Sequence, residues 1–413
     1  MNWTRRDLLK AAMAVSAGPW LASYRAWAAP FERAVKITAI KALQLENTGD
    51  GCLIRVETDA GVMGYGDAGC TAQMARARIA QMGPRGVLMG QDPLAIERMF
   101  YLMTAPQNAL VPQVGLISGI DMALWDIAGK VIGQPVHRLL GGPMRPAVPI
   151  YSHGSIKDMT DEAQVRDWWG KTKDNPEGFK IFKFGMSVGE RGPGNAWSPT
   201  ADGYDLRKVG KSYEILRKVV GSDIDIAMHA TGQFDLPTAI GLAKACEPSD
   251  PAWFEDPMNY IYSENWVYLK RSTRVPILTG EKLELVAGFK PYLDNGTVNV
   301  IHPDPSYAGG ITGIRKIADY AAVTRVPVAL HSGKGSLVRY YAALALGGTI
   351  QNFFRIENVL GPMRDFREKM AMPGKEPMVR NSETVLPTGP GLGLEIHEDW
   401  VKKNAVKDEP YWA

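Results

Sequence analysis

DIDIAMH (223–229), AWFE (252–255), VPILTGE (275–281), TVNVIHPD (297–304), VPVALH (326–331) and FFRIE (353–357) are six versions of one pattern. Each is a short apolar run that ends on an ionisable residue. The ends are His229, Glu255, Glu281, Asp304, His331 and Glu357, and they follow one another by 26, 26, 23, 27 and 26 residues. Each step is the length of one strand, one helix and their loops. Helical patterns fill the gaps at 236–246, 263–272, 285–293, 310–324 and 336–346. Val, Ile, Leu and Phe runs alternating with helices predict parallel strands buried on both faces. A βα repeat this regular predicts a TIM-type (β/α) barrel, whose chemistry sits where the strands end. All six ionisable residues stand at that end. One polar residue at a strand end is commonly a cap; six in register are a site.

Working outward, 147–152 and 179–184 supply two earlier strands, with Lys183 near the end of the second. That makes eight strands, the last ending at Glu357. A Gly/Pro-rich loop, GMSVGERGPGNAWSPTADGY (185–204), follows the second strand and is expected to overhang the barrel mouth. The barrel is assigned to 147–375.

Residues 35–146 read differently. Strand-like stretches at 35–46 and 52–58 are followed by the turn Asp59-Ala60-Gly61 and a returning arm at 62–66. A helix is expected over 118–131, with Ile117, Ile120, Leu124, Ile127, Ala128 and Val131 on one face. Gly133 and Pro135 stop it. This is an α+β capping domain outside the barrel repeat. The tail, 376–413, is expected to pack back on it.

Residues 1–28 read as an export signal. Arg5, Arg6 and Lys10 precede an apolar run at 11–23 that is too short to span a bilayer, and Ala26-Trp27-Ala28 fits a cleavage site. TRRDLLK (4–10) fits a twin-arginine signal, which implies a periplasmic protein exported after folding, with no membrane segment once the signal is removed. A net charge of +3, with no basic helix interleaved with aromatics, leaves no footprint for nucleic acid. The three cysteines, Cys52, Cys70 and Cys246, are well separated with no CxxC, so buried thiols are expected in place of a disulfide framework or a zinc knuckle.

Glu255 and Glu281 end adjacent strands and can point at one spot. Two carboxylates at such range repel unless a cation or a shared proton lies between them, and a divalent metal is the simplest answer. His229, one strand earlier, is either a third ligand or a packed histidine beside it. Asp304 next to His331 fixes the imidazole tautomer and raises its basicity, which makes His331 a candidate general base. Glu357 either stabilises a developing oxyanion when protonated or holds a substrate hydroxyl. Lys183 on the opposite wall binds a substrate carboxylate or serves as a base. Such a set suits removal of a proton next to a carboxylate, with stabilisation of the resulting ene-diolate.

Further motifs sharpen this. SGIDMALWDIAGKVIGQPVHRLLGG (118–142), TDAGVMGYGDAG (58–69), FEDP (254–257), TGE (279–281), PDPSYAGGIT (303–312) and VPVALHS (326–332) together resemble the enolase superfamily. The resemblance is to the mandelate racemase and muconate lactonizing enzyme branch that includes acid-sugar dehydratases, and it covers nearly all of the chain after 28. It implies Glu255 and Glu281 as Mg²⁺ ligands, Asp304 and His331 as the base dyad and Glu357 as an electrophilic partner. It also implies a homo-oligomer, and a capping domain that selects substrate through loops near 47–51 and 69–72.

Two positions depart from the family pattern. His229 stands where the first metal ligand is usually an aspartate. Imidazole in place of an oxygen donor suits transition metals better than magnesium. Gly185 stands where a Lys-x-Lys pair would place its second lysine. One base fits elimination better than racemisation. The expected reaction is therefore dehydration of a sugar acid to a 2-keto-3-deoxy acid, with Lys183 and either Lys282 or Lys334 on its carboxylate. An epimerase, racemase or cycloisomerase of the same branch is the alternative. A noncatalytic periplasmic protein that binds sugar acids is the alternative from another class.

Overall fold

In the capping domain, β1 (Ile37–Leu43), β2 (Cys52–Thr58) and β3 (Met63–Ala68) pair antiparallel in that order. The structure is a computed structural model that describes residues 35–49, 51–82, 88–105, 113–186, 188, 199–333, 335–358, 368–375 and 377–413. The export-type start, Lys334 and positions 187 and 189–198 of the loop over the mouth lie outside the described residues. No helix among the described residues is long and apolar enough to cross a membrane.

The helix expected over 118–131 runs over Val114–Ile132 and is buried on nearly every side up to Gly129, not on one face. It lies between two partners. One flank presses on β3, where a Cβ at Gly66 would meet the Gly119 carbonyl oxygen at 1.8 Å. The other meets the barrel helix Gly310–Val323, where Thr312 N–H donates to Asp121 Oδ2 at 2.9 Å. Gly133 ends the helix in the left-handed conformation, as its sequence position predicts. Cys52 and Cys70 are distant in sequence but meet in space, because Cys70 follows the strand that pairs with β2. The neighbouring Cys70 and then burial push the Cys52 thiol up, and all three cysteines are buried and free.

Eight parallel strands form the barrel: β4 (Ala147–Gly154), β5 (Ile181–Gly185), β6 (Asp225–His229), β7 (Phe254–Glu255), β8 (Ile277–Thr279), β9 (Val300–Ile301), β10 (Val328–Leu330) and β11 (Phe353–Glu357). They pair in sequence order, and β11 pairs with β4 to close the ring. Helices fill the intervals close to the expected bounds: Leu236–Cys246, Asn265–Ser272, Leu285–Asp294, Gly310–Val323 and Leu337–Thr349. Inside the ring, Tyr151, Ile181, Ala227, Trp253, Leu278, Val300 and Ala329 form one buried layer, with Phe354 packed against it. Large and small side chains from successive strands fill the barrel, so the floor beneath the mouth is solid.

The tail divides between the two domains. Its hairpin, β12 (Val379–Arg380) and β13 (Glu383–Val385), pairs antiparallel with the first residues of β4, below the parallel ladder. This part belongs to the barrel and covers a strand edge that the ring leaves open. The rest crosses to the capping domain. Val136 N–H donates to Gly391 O at 2.8 Å, Val406 N–H to Gln44 O at 3.0 Å, and Ala42 N–H to Ala413 O at 2.9 Å.

Candidate active site

Strand periodicity builds the site from the floor upward. Side chains two residues apart share a face. Each floor residue is followed two positions later by a residue at the mouth: Tyr151 by His153, Ile181 by Lys183, Ala227 by His229, Trp253 by Glu255, Val300 by His302 and Ala329 by His331. Two strands deviate by one residue. After Leu278 comes Gly280 at φ +137°, a turn that L side chains resist, and it delivers Glu281. Beside β11 the register shifts, with Val328 opposite Phe353 but Leu330 opposite Ile356, and this places Glu357.

The expected residues converge. Lys183 Nζ donates to Glu255 Oε1 at 2.5 Å and to Glu357 Oε1 at 2.8 Å, with all three groups fully buried. Burial works against the ammonium, but the two carboxylates outweigh it and hold Lys183 charged. Glu255 Oε2 accepts from Trp253 Nε1 at 3.1 Å. Glu357 Oε2 accepts from Ser332 N–H at 3.0 Å and faces His331 Nε2 at 3.1 Å. Burial pushes the Glu357 carboxyl up, yet His331, Lys183 and His153 together hold it well below the usual range. Of its two expected forms, the protonated one is therefore disfavoured.

His331 Nδ1 donates to Asp304 Oδ2 at 2.5 Å, which leaves Nε2 on the open side. Nε2 also lies 3.2 Å from Glu281 Oε2. Burial pulls this imidazole down, but Glu357, Glu281 and Asp304 raise it to about 9. Asp304 is itself held low, since Arg339 and His331 overcome its burial. Arg339 reaches across the domain boundary. Its Nη1 donates to Asp304 Oδ2 at 3.0 Å and its Nη2 to Asp67 Oδ1 on β3 at 3.0 Å. Asp67 also accepts from Ser306 Oγ at 2.6 Å and Ser336 N–H at 2.7 Å. The capping domain is thus wired to the dyad by buried, charge-assisted bonds.

His229, Glu255 and Glu281 each offer a ligand atom within 4.8 Å of the others. His229 Nε2 is buried without a hydrogen-bond partner and lies 3.8 Å from Glu255 Oε1. An orphaned ring nitrogen beside two carboxylates fits a divalent cation with mixed nitrogen and oxygen donors. Asp256 adjoins the set and accepts from Thr279 Oγ1 at 2.6 Å; burial and then Glu281 push its carboxyl well up. Lys282 is on the rim, with Nζ 3.7 Å from Glu281 and 4.5 Å from the Tyr307 ring centre. A cavity of about 270 Å³ opens beside this arc, lined by Gly154, Ile156, Met159, Gly185, His229 and Thr231. Gly185 leaves open space where a second lysine would stand.

Sequence reading missed His153, His302, Arg339 and Asp67. The expected first strand, 147–152, stops one residue short of His153, which bonds Glu357 Oε1 through Nε2. His302 shares its strand end with the more conspicuous Asp304, yet it is fully buried, with Nε2 3.0 Å from Tyr151 OH and Nδ1 3.7 Å from Glu255. The two-residue rule above finds both histidines. Nothing in the sequence pattern pairs Asp67 with Arg339, because the two meet only when the domains dock.

Comparisons with known proteins agree with this geometry. Residues 33–141 match the mandelate racemase/muconate lactonizing enzyme N-terminal domain, and 171–400 match the enolase C-terminal domain-like family. The D-galactonate dehydratase of Xanthomonas campestris pv. campestris is 30% identical over 87% of this chain and 92% of its own length. The D-xylonate dehydratase of Haloferax volcanii is 29% identical over 91% of this chain and 90% of its own. Among solved structures, a mandelate racemase/muconate lactonizing enzyme-like protein from Rubrobacter xylanophilus superposes with a TM-score of 0.81 at 26% identity, covering 92% of this chain and all of that one. The strand-end carboxylates, the His–Asp dyad and the capping domain share one explanation: this chain belongs to the mandelate racemase/muconate lactonizing enzyme branch of the enolase superfamily.

Proposed function

We propose that the protein is a sugar-acid dehydratase, a hydro-lyase that removes the α-proton of a carboxylate substrate and expels water from the neighbouring carbon. One observation carries the reading. His331 Nε2 is turned into the mouth, with Asp304 holding the opposite nitrogen at 2.5 Å, beside the His229, Glu255 and Glu281 cluster. Asp304 fixes the tautomer, so that in the neutral ring Nε2 is the accepting nitrogen, and the neighbouring carboxylates stabilise the conjugate acid that forms when it takes a weakly acidic hydrogen. His229, Glu255 and Glu281 would hold a divalent cation, which would supply positive charge beside the substrate carboxylate. The relatives named D-galactonate and D-xylonate dehydratase support a polyhydroxy acid as substrate.

Lys183 is already bonded to two carboxylates, so it suits orienting and neutralising those anions more than abstracting a proton. Gly185 leaves the opposite face without a lysine, which argues for elimination over racemisation. The imidazole donor favours a transition ion over magnesium. Incubating the purified protein with aldonic and aldaric acids and several divalent metals should release 2-keto-3-deoxy products. Inactivity across the whole panel would sink the proposal. Metal content measured after loading should favour Mn²⁺, Fe²⁺, Ni²⁺ or Zn²⁺ in the parent and shift toward Mg²⁺ in His229→Asp. Export through the twin-arginine route belongs to the same proposal. A reporter fused after residue 28 should reach the periplasm, and Arg5→Lys with Arg6→Lys should block it.

A further inference from the structure

We propose that His153 is the general acid that protonates the departing hydroxyl, so that the elimination uses two imidazoles and not one. This rests on the dehydration reading above. His331 serves the α-carbon, where it takes and returns a proton, and Glu281 at 3.2 Å and Glu357 at 3.1 Å fill the flanks of Nε2, so the β-hydroxyl has no room beside it. A second donor is needed elsewhere on the rim.

His153 ends β4. Its Nε2 is anchored on Glu357 Oε1, while its side chain is 33% exposed where that of Glu357 is fully buried. Nδ1 engages no described residue, so one ring nitrogen is held and the other is free. The ring stands edge-on to His229, 6.4 Å between centres. The cavity beside Gly154, Gly185 and His229 begins one residue further along the same strand. In the closed ring of eight strands, β6 with His229 lies four strands from β10 with His331. A substrate that spans the mouth from His331 therefore extends its hydroxylated chain toward that cavity, past His153. Ser155 and Thr231 bring only hydroxyls to that wall, and Gly185 brings nothing.

In the step, His331 Nε2 takes the α-proton and the C–H electron pair forms the ene-diolate. That pair then makes the C=C bond. The C–O bond to the β-hydroxyl breaks with its electrons on oxygen, and this oxygen takes the proton from His153 Nδ1 and leaves as water. The enol product tautomerises to the keto acid. His331 ends one proton richer and His153 one poorer. Glu357 touches both imidazoles, one through each oxygen, so exchange across it or with solvent resets the pair.

The test compares the parent with His153→Asn and His153→Gln on an acid that the parent dehydrates and on its 3-deoxy-3-fluoro analogue. Water loss should fall by about 10²–10³-fold. Exchange of the α-hydrogen in D₂O should persist within a few fold. Fluoride release should stay near the parental rate, because fluoride departs without a proton. Unchanged water loss, or equal loss with hydroxyl and fluoride, overturns the assignment. A folded parent that neither exchanges nor eliminates overturns dehydration itself and this role with it, whereas failure confined to the variants overturns the acid alone.

Discussion

Two arcs of the same barrel mouth are finished to different degrees. From β9 through β11, Asp304, His331 and Glu357 are locked by Arg339, Ser306 and Ser332 and tied to Asp67 of the capping domain. From β5 to β6, Gly185 faces open space and His229 carries an orphaned nitrogen beside a cavity. Buried polar groups are normally satisfied. The locked arc is therefore held in one geometry, whereas the open arc leaves space and an unpaired donor atom.

The contrast can be broken most severely at the dyad. His331→Asn removes the proposed proton acceptor and should lower α-hydrogen exchange and product formation by about 10⁴-fold, the upper end for a general base; His229→Asp should remain folded and exchange-competent. Next comes the clamp. Arg339→Met leaves Asp67 and Asp304 buried without their cation, which should cost about 3–5 kcal/mol in denaturant unfolding. Arg339→Lys should recover part of the stability, but a lysine cannot make the forked contact to both aspartates.

A third effect is pH-dependent and lies at the domain seam. Burial raises the Asp121 carboxyl from 3.8 to about 7. A raised acid binds its proton more tightly in the folded state. Its contribution to stability is complete below pH 4 and is lost as pH rises toward 7. The total is at most about 4 kcal/mol, at 1.36 kcal/mol per pKa unit. Asp121→Asn should therefore flatten the fall in unfolding midpoint between pH 4 and 7; an unchanged slope would show that Asp121 is not its source. The smallest effect is expected on the open arc. Gly185→Ala meets nothing within 4 Å and should change stability by less than about 0.5 kcal/mol. Gly66→Ala, aimed at the Gly119 carbonyl, should unfold at clearly lower denaturant.

Much of this is legible in the sequence. The steps between His229, Glu255, Glu281, Asp304, His331 and Glu357 express the strand–helix repeat, and the repeat alone implies a ring with those residues at one end. Helix bounds within the barrel followed from apolar periodicity and came within a few residues. The helix at Val114–Ile132 was harder, because contact on two flanks erases the one-sided pattern. His302 shows a finer limit: two polar residues close one strand, and the residue spacing of the pleat, more than the catalogue of charged types, tells which faces inward.

The sequence by itself determined the repeat, the polar strand ends and the two family departures at Gly185 and His229, since each is written in neighbouring residues. Only the tertiary structure decided that Lys183 bonds Glu255 and Glu357, that Glu357 joins His153 to His331, and that Asp67 grips Arg339. Those pairs are separated by 72 to 272 residues, apart from Glu357 and His331. Long-range pairing depends on ring closure and domain docking, which no local pattern encodes.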